Sequence, residues 1–158
     1  MKKKPWKTYI LWVLLCEAVG IFAGILTRQG TMEYVQTAIK PPLAPPGWLF
    51  PMVWSVLYGL MGIGAARITL APLSAQRSRG LNLMITQLVV NFFWPLLFFQ
   101  AGAYGFSVLW LLLLCGLVLW MLLVWRKVDP AAAWLQIPYL LWLSFALYLN
   151  VGVWYLNH

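Results

Sequence analysis

The chain has 158 residues, of which 63% are hydrophobic and only 9% are charged. This balance lies far outside the range of soluble domains and is typical of an integral membrane protein. Eleven Lys and Arg against three Asp and Glu give a formal net charge of +8. Because the basic residues stand in short clusters between apolar blocks, they indicate membrane topology, and a nucleic-acid-binding surface is excluded.

Histidine and cysteine usage argues against metal and acid–base chemistry. The only histidine is the last residue, His158, so no internal imidazole is available as a ligand or general base. Cys16 and Cys115 lie within apolar segments, without the spacing of a disulfide framework or a metal site. We therefore predict no metal site, no covalently bound cofactor and no conventional catalytic site.

Five stretches are apolar over the roughly 20 residues that a helix needs to cross a bilayer core. They are about 9–27, 48–70, 81–100, 104–125 and 133–155. Every connection after the first is short, so neighbouring helices should run antiparallel in one bundle. The sequence predicts an all-α membrane protein, a single domain over 1–158 with five transmembrane helices.

Lys and Arg are concentrated at one end of these helices, which predicts a cytoplasmic N-terminus and a C-terminus on the outside. The other end carries only Arg28 and Lys40. This bias favours a bacterial plasma membrane, with an outer membrane as the alternative. The start M-K-K-K-P-W-K precedes an apolar run that lacks a cleavage site, so we expect the run to be retained as the first helix.

The one long loop, residues 28–47, is rich in proline. Its prolines are Pro41, Pro42, Pro45 and Pro46. Xaa-Pro pairs favour extended or polyproline II backbone, so this loop could lie rigidly across the mouth of the bundle. A stiff lid over a binding site and a simple spacer between helices are both consistent with the pattern.

Four polar side chains interrupt the spans, and each is a functional hypothesis because such groups are costly in a membrane. They are Glu17, Gln87, Asn91 and Asn150. The segment L-L-C-E-A-V-G around Glu17 resembles the first helix of small multidrug exporters, whose membrane glutamate exchanges a proton for a cationic drug. The alternative is that another helix satisfies a protonated Glu17.

Helical spacing places the two amides of the third helix on one face with aromatic side chains. The residues at this spacing are Gln87, Asn91, Trp94 and Phe98. The corresponding residues elsewhere are Trp54 and Tyr58 on the second helix and Tyr139, Trp142, Ala146 and Leu149, with Phe145 beside them, on the fifth. With a rise of about 1.5 Å per residue, these faces meet in the outer half of the membrane, below the long loop.

A cavity with aromatic walls, one or two amide donors and no charge suits a large, flat, apolar ligand, because aromatic faces bind such ligands by offset stacking. Tryptophan is also frequent at membrane interfaces, and five tryptophans near the span ends are expected there. They are Trp6, Trp48, Trp125, Trp134 and Trp154. For the deeper Trp54, Trp94 and Trp142, a pocket role and ordinary packing both stay open.

Three segments resemble the translocator protein family (TspO/MBR, also called tryptophan-rich sensory protein or peripheral benzodiazepine receptor). They are K-P-P-L-A-P-P-G-W-L-F-P-M-V-W-S-V-L-Y at 40–58, Q-L-V-V-N-F-F-W-P-L-L-F-F at 87–99 and P-Y-L-L-W-L-S-F-A-L-Y-L-N at 138–150. The resemblance implies a five-helix bundle, with the first loop closing a pocket for porphyrins and for benzodiazepine-type or isoquinoline ligands. It also implies a homodimer, and it covers essentially the whole chain.

The resemblance assigns ligand contacts to specific positions of this chain. They are Trp54 on the second helix, Asn91 and Trp94 on the third, and Trp142, Phe145, Ala146 and Leu149 on the fifth. The chain departs from the family at Leu43, where a large aromatic residue is common, and at Tyr34, which lacks a neighbouring tryptophan. No Lys or Arg follows Tyr155, so sterol binding by the animal family's C-terminal motif is not expected.

Three functions follow as expectations. The first is a membrane receptor or carrier that binds protoporphyrin IX or haem precursors for sensing or transport. The second is a light- and oxygen-dependent porphyrin-degrading enzyme, with Trp54 and Trp142 as the redox-active pair. The third is a proton-coupled exporter that uses Glu17. The expected partners are a flat apolar small molecule and membrane lipid.

Overall fold

Residues 4–158 are described in a computed structural model, and residues 1–3 of the predicted domain lie outside this part. The elements are α1 (Pro5–Leu26), α2 (Arg28–Thr37), α3 (Leu49–Leu70), α4 (Ala75–Pro95), α5 (Tyr104–Val128), α6 (Pro130–Trp134) and α7 (Ile137–Asn157). α4 continues directly into a π-helical turn at Leu96–Gln100. No β-strand occurs over residues 4–158, which confirms the all-α prediction.

Five helical segments are long and apolar enough to cross a membrane, as predicted. They are Pro5–Leu26, Leu49–Leu70, Ala75–Gln100, Tyr104–Val128 and Pro130–Asn157. The third starts earlier than predicted because Ser74 caps it, with Ser74 Oγ accepting a hydrogen bond of 3.0 Å from the backbone N–H of Arg77. The fifth is interrupted by a turn at residues 135–136, between α6 and α7.

The predicted extended loop over residues 28–47 is in part a helix. Residues 28–37 form α2, and only residues 38–48 are non-helical. The segment R-Q-G-T-M-E-Y-V-Q-T contains no proline, so every backbone N–H in it is free to form helical hydrogen bonds. The prolines that favour extended backbone begin only at Pro41, after α2 has ended.

The spans pack in a continuous series in which α1 lies along α3, α4 along α5 and α5 along α7, while α1 also contacts α4. Gly62 lets α1 and α3 approach closely, since a Cβ on it would lie 2.6 Å from the backbone of Val13. By contrast, α3 and α7 make little close backbone contact. A groove therefore runs between them on the outside of the bundle.

Trp125 was predicted to lie at the membrane interface, but it is fully buried inside the protein and does not face lipid. Its indole N–H donates a 3.0 Å hydrogen bond to the carbonyl of Gly80, and its ring fills the space beside Gly64 and Gly80. A Cβ on either glycine would come within 2.8 Å of the ring. Because these two glycines on neighbouring helices have no side chains, they leave the space that the Trp125 ring fills.

The outer surface of the spans is apolar. Exposed side chains include Leu11, Leu14, Ile21 and Ile25 on α1 and Leu109, Leu112, Leu119 and Leu123 on α5. In water such a surface would be unfavourable, whereas in a bilayer it contacts lipid at no cost. These exposed faces agree with five membrane-spanning helices.

Candidate functional site

A cavity of about 530 Å³ lies between α1, α2, the start of α3 and the end of α4, and we call it the main cavity. Its aromatic lining consists of Tyr34, Phe50, Trp54, Tyr58, Trp94 and Phe99. Its polar lining consists of Glu17, Thr27, Arg28, Thr31 and Ser55. This volume is within the range of pockets that enclose drug-sized ligands.

Trp54 and Tyr58 lie one turn apart on α3, as predicted, and both face the main cavity. Their ring centroids are 5.6 Å apart, and Trp54 also meets Tyr139 edge-on at 6.2 Å. Tyr58 packs flat on Gly20 of α1, where a Cβ would lie 2.6 Å from Tyr58 Cδ2. Because Gly20 has no side chain, the Tyr58 ring can pack against α1 at this position and form part of the cavity wall.

Behind Tyr58, a chain of buried hydrogen bonds joins three helices. The Tyr58 hydroxyl donates to Asn91 Oδ1 at 2.7 Å, and Asn91 Nδ2 donates to the Tyr139 hydroxyl at 2.6 Å. The Tyr139 hydroxyl in turn donates to Gln87 Oε1 at 2.8 Å. Gln87 and Asn91 were predicted to contact ligand, but the structure places both behind the wall, with their oxygens engaged inside the protein.

Trp94 borders the main cavity and is held by α7. Its indole N–H donates to Asn150 Oδ1 at 3.0 Å, and Asn150 Nδ2 donates to the carbonyl of Tyr104 at 2.9 Å. The predicted polar residue Asn150 thus orients a cavity tryptophan and ties the start of α5 to α7. It lies fully buried and does not line the main cavity.

The predicted residues of the fifth span divide between two other spaces. Ala146 and Leu149, with Trp94 and Phe98, border a small void of about 10 Å³ next to the main cavity. Trp142 and Phe145 instead line the groove between α3 and α7, which has a volume of about 590 Å³. A ligand confined to the main cavity therefore touches Trp54 but not Trp142.

Phe50 separates these spaces. It lines both the main cavity and the small void, and its ring meets the edge of Trp142 at a centroid distance of 5.9 Å. The sequence-based prediction missed Phe50, although it stands four residues before Trp54, the spacing of one helical face.

The cover of the main cavity is α2. Gly30 lies directly on the π-helical turn, where a Cβ would overlap the carbonyl oxygen of Phe99, and its N–H donates to Gln100 Oε1 at 3.2 Å. Tyr34 packs edge-on against Phe98 and Phe99, with centroid distances of 5.2 Å to each. Burial, with a smaller contribution from Tyr104, raises the pKa of the Tyr34 hydroxyl to about 12.

The proline segment is attached to α7 and does not close the main cavity itself. Pro41 sits on Gly152, where a Cβ would lie 2.6 Å from the Pro41 ring, and the Tyr148 hydroxyl donates to the carbonyl of Pro42 at 2.7 Å. Asn157 forms two hydrogen bonds with the backbone of Ile39, of 2.9 and 2.7 Å. The main cavity is not lined by any of the four prolines that were predicted to form its lid, which are Pro41, Pro42, Pro45 and Pro46. Pro41 and Pro42 attach the segment that follows α2 to α7.

The described fold and its aromatic cavity match a known family. The family model described as "TspO/MBR family" matches residues 12–156. The chain belongs to the TspO/MBR family. It is 35% identical over 152 residues to the translocator protein of Bos taurus, covering 95% of this chain and 90% of that protein. It is also 33% identical over 156 residues to the tryptophan-rich protein TspO of Chlorobaculum tepidum, covering 95% and 96%.

A third relative is protein CrtK of Rhodobacter capsulatus, 32% identical over 150 residues, with 94% of this chain and 92% of CrtK covered. Family membership and the five apolar spans make this TspO/MBR protein an integral, multi-pass membrane protein. They support a ligand-binding role as a membrane receptor or transporter.

Proposed function

We propose that this protein is a receptor or carrier that binds a tetrapyrrole, such as protoporphyrin IX, in the main cavity. Benzodiazepine-type and isoquinoline ligands would occupy the same space. The observation that supports this most strongly is the aromatic cavity of about 530 Å³ under α2. Flat aromatic ligands gain from such walls both by leaving water and by offset stacking.

The position of Arg28 favours a ligand with acidic substituents at its edge. Arg28 lines the cavity at the end of α1 and forms no ion pair within residues 4–158. A guanidinium group binds carboxylates with two parallel hydrogen bonds, so Arg28 could hold the propionates of a porphyrin while the macrocycle stacks on Trp54.

A porphyrin titration in the dark tests this proposal. The absorbance of protoporphyrin would be recorded while the purified wild type, Trp54→Leu or Trp120→Leu is added. Trp120→Leu is the control, because Trp120 is exposed on α5 and does not line the cavity. Losing one stacking face should weaken binding by about tenfold in Trp54→Leu. Unchanged affinity in Trp54→Leu, or an equal loss in Trp120→Leu, would contradict the proposal.

The alternative, light- and oxygen-dependent porphyrin degradation, keeps only part of its predicted site. Trp54 lines the main cavity, whereas Trp142 lines the α3/α7 groove, so a ligand confined to the main cavity would contact only the first of these two indoles. Illuminating the bound porphyrin tests Trp54 as the single redox-active residue. The homodimer, the cytoplasmic N-terminus and the bacterial plasma membrane stay predictions.

A further inference from the structure

Glu17 lies in the wall of the main cavity, in the middle of α1. It is nine residues from the end of the helix at Leu26, which is about 13 Å along the axis. It is half-buried. Of the other acidic residues, Glu33 lies on α2 and Asp129 follows the end of α5, so neither lies in the middle of a span. An ionisable side chain at such a position is costly unless something compensates its charge.

Within residues 4–158, no basic side chain forms an ion pair with Glu17. Its one polar contact within residues 4–158 is Ser55 Oγ, which donates to Oε2 at 3.4 Å, a long distance for a hydroxyl donor. The single ion pair of this part of the chain joins Arg67 and Asp129 at the opposite end of the bundle. Arg28 lies eleven residues further along the chain, beyond the end of α1. The carboxyl group therefore has unused acceptor capacity that faces an open space.

Aromatic side chains line the same cavity as this carboxyl group. Tyr58 packs on Gly20, which is one helical turn from Glu17 on the same side of α1. Trp54 lines this cavity too, and its ring is tilted against that of Tyr58 with the centroids 5.6 Å apart. A carboxylate next to Trp and Tyr faces is the combination by which proteins recognise organic cations, through charge pairing and cation–π attraction.

We propose that Glu17, Trp54 and Tyr58 make the deep end of the main cavity a subsite for aromatic organic cations. This ligand class is distinct from tetrapyrroles, which carry acidic side chains. The ligand's cationic centre would sit against Glu17, and its rings would contact Trp54 and Tyr58. Glu17 then favours a positive charge at this end of the cavity, whereas Arg28, at the start of α2, favours a negative one.

The test uses two aromatic ions of matched shape and opposite charge, tetraphenylphosphonium and tetraphenylborate. Binding would be measured calorimetrically in neutral detergent with the wild type, Glu17→Gln, Glu17→Asp and the control Glu33→Gln. Glu33 is exposed on α2 and does not line the cavity. Gln keeps the size of Glu and its acceptor for Ser55, so Glu17→Gln removes the charge while keeping the packing.

We expect Glu17→Gln to weaken tetraphenylphosphonium binding at least tenfold, and to bind the two anionic ligands, tetraphenylborate and protoporphyrin, as tightly as the wild type or more tightly. Glu17→Asp should retain more cation binding than Glu17→Gln. Undiminished cation binding in Glu17→Gln would overturn the proposal, as would an equal loss in Glu33→Gln. Because porphyrin binding is measured on the same variants, a failure of the cation subsite is distinguishable from a failure of the tetrapyrrole proposal.

Discussion

Replacing Gly30 by alanine should undock α2 from the bundle. A Cβ at this position would overlap the carbonyl oxygen of Phe99 and lie 2.7 Å from the Cα of Gln100. These neighbours are backbone atoms of the π-helical turn, so they cannot rotate away as a side chain could. The new methyl group would also disturb the 3.2 Å hydrogen bond from the Gly30 N–H to Gln100 Oε1.

The size of this effect follows from two opposing terms. Carbon atoms pack best at about 3.5 to 4.0 Å, so α2 must shift by about 1 Å or distort. Overpacking of this kind costs about 1 to 3 kcal/mol, while alanine gains up to about 1 kcal/mol over glycine as a helix former. Gly116→Ala measures the second term alone, because Gly116 is exposed on α5 with no atom within 4 Å of an added Cβ.

Gly30→Ala should therefore be less stable than Gly116→Ala by about 1 to 3 kcal/mol in unfolding experiments in detergent. It should also release bound protoporphyrin faster, since α2 covers the main cavity. If Gly30→Ala unfolds at the same temperature as Gly116→Ala and releases ligand at the same rate, α2 does not dock as described.

Three further outcomes follow from single contacts. Asn91→Leu should lose about 1 to 2 kcal/mol of unfolding free energy, because the buried Tyr58 hydroxyl loses its acceptor and the Tyr139 hydroxyl loses the amide that donates to it. Asn82→Leu, at an exposed position of α4, is the control, and equal stability of the two variants would contradict the buried chain of hydrogen bonds. The pKa of Tyr34 rises from 10.0 to about 12 on folding, so the stability linked to its neutral hydroxyl is fully present below the unfolded pKa and is lost as the pH rises through the folded one. The wild type should consequently lose stability more steeply than Tyr34→Phe across this window, and parallel pH profiles would refute the burial of this hydroxyl. Tyr148→Phe should speed hydrogen exchange of the loop amides because it removes a 2.7 Å hydrogen bond to the loop backbone, whereas Tyr155→Phe, at an exposed ring, should not; identical exchange in both variants would show that this bond does not hold the loop.

The spans could be predicted because each is a long apolar run, and membrane insertion depends on length and hydropathy more than on tertiary packing. The helix α2 could not be predicted in this way, since R-Q-G-T-M-E-Y-V-Q-T is polar and, with 10 residues, too short for a membrane span. Its position depends on Gly30 fitting against Phe99 and Gln100, which are 70 residues away in the chain. A contact between residues so far apart in the chain cannot be recognised from the local sequence.

The cavity was predicted in part. Trp54, Tyr58 and Trp94 face it, because one-turn spacing on a helix correctly groups residues on one face. Helical spacing could not show that Asn91 would be captured between Tyr58 and Tyr139, since these two tyrosines belong to different helices. The choice of partner for a buried amide depends on how the helices are arranged, and sequence periodicity does not contain that arrangement.

The fifth span gives a second example of what helical spacing cannot predict. Trp142 and Ala146 are one turn apart, yet Trp142 lies in the α3/α7 groove and Ala146 borders the void beside the main cavity. The division arises because α3 and α7 are splayed and Phe50 occupies the space between them. Small differences in helix separation thus decide which residues line a common pocket.

A structure of the protein with protoporphyrin bound tests the central claim most directly. We predict the macrocycle in the main cavity, stacked on Trp54, with α2 docked over it and Arg28 near its carboxylates. Density for the porphyrin in the groove between α3 and α7, against Trp142 and Phe145, with the main cavity empty, would contradict this claim.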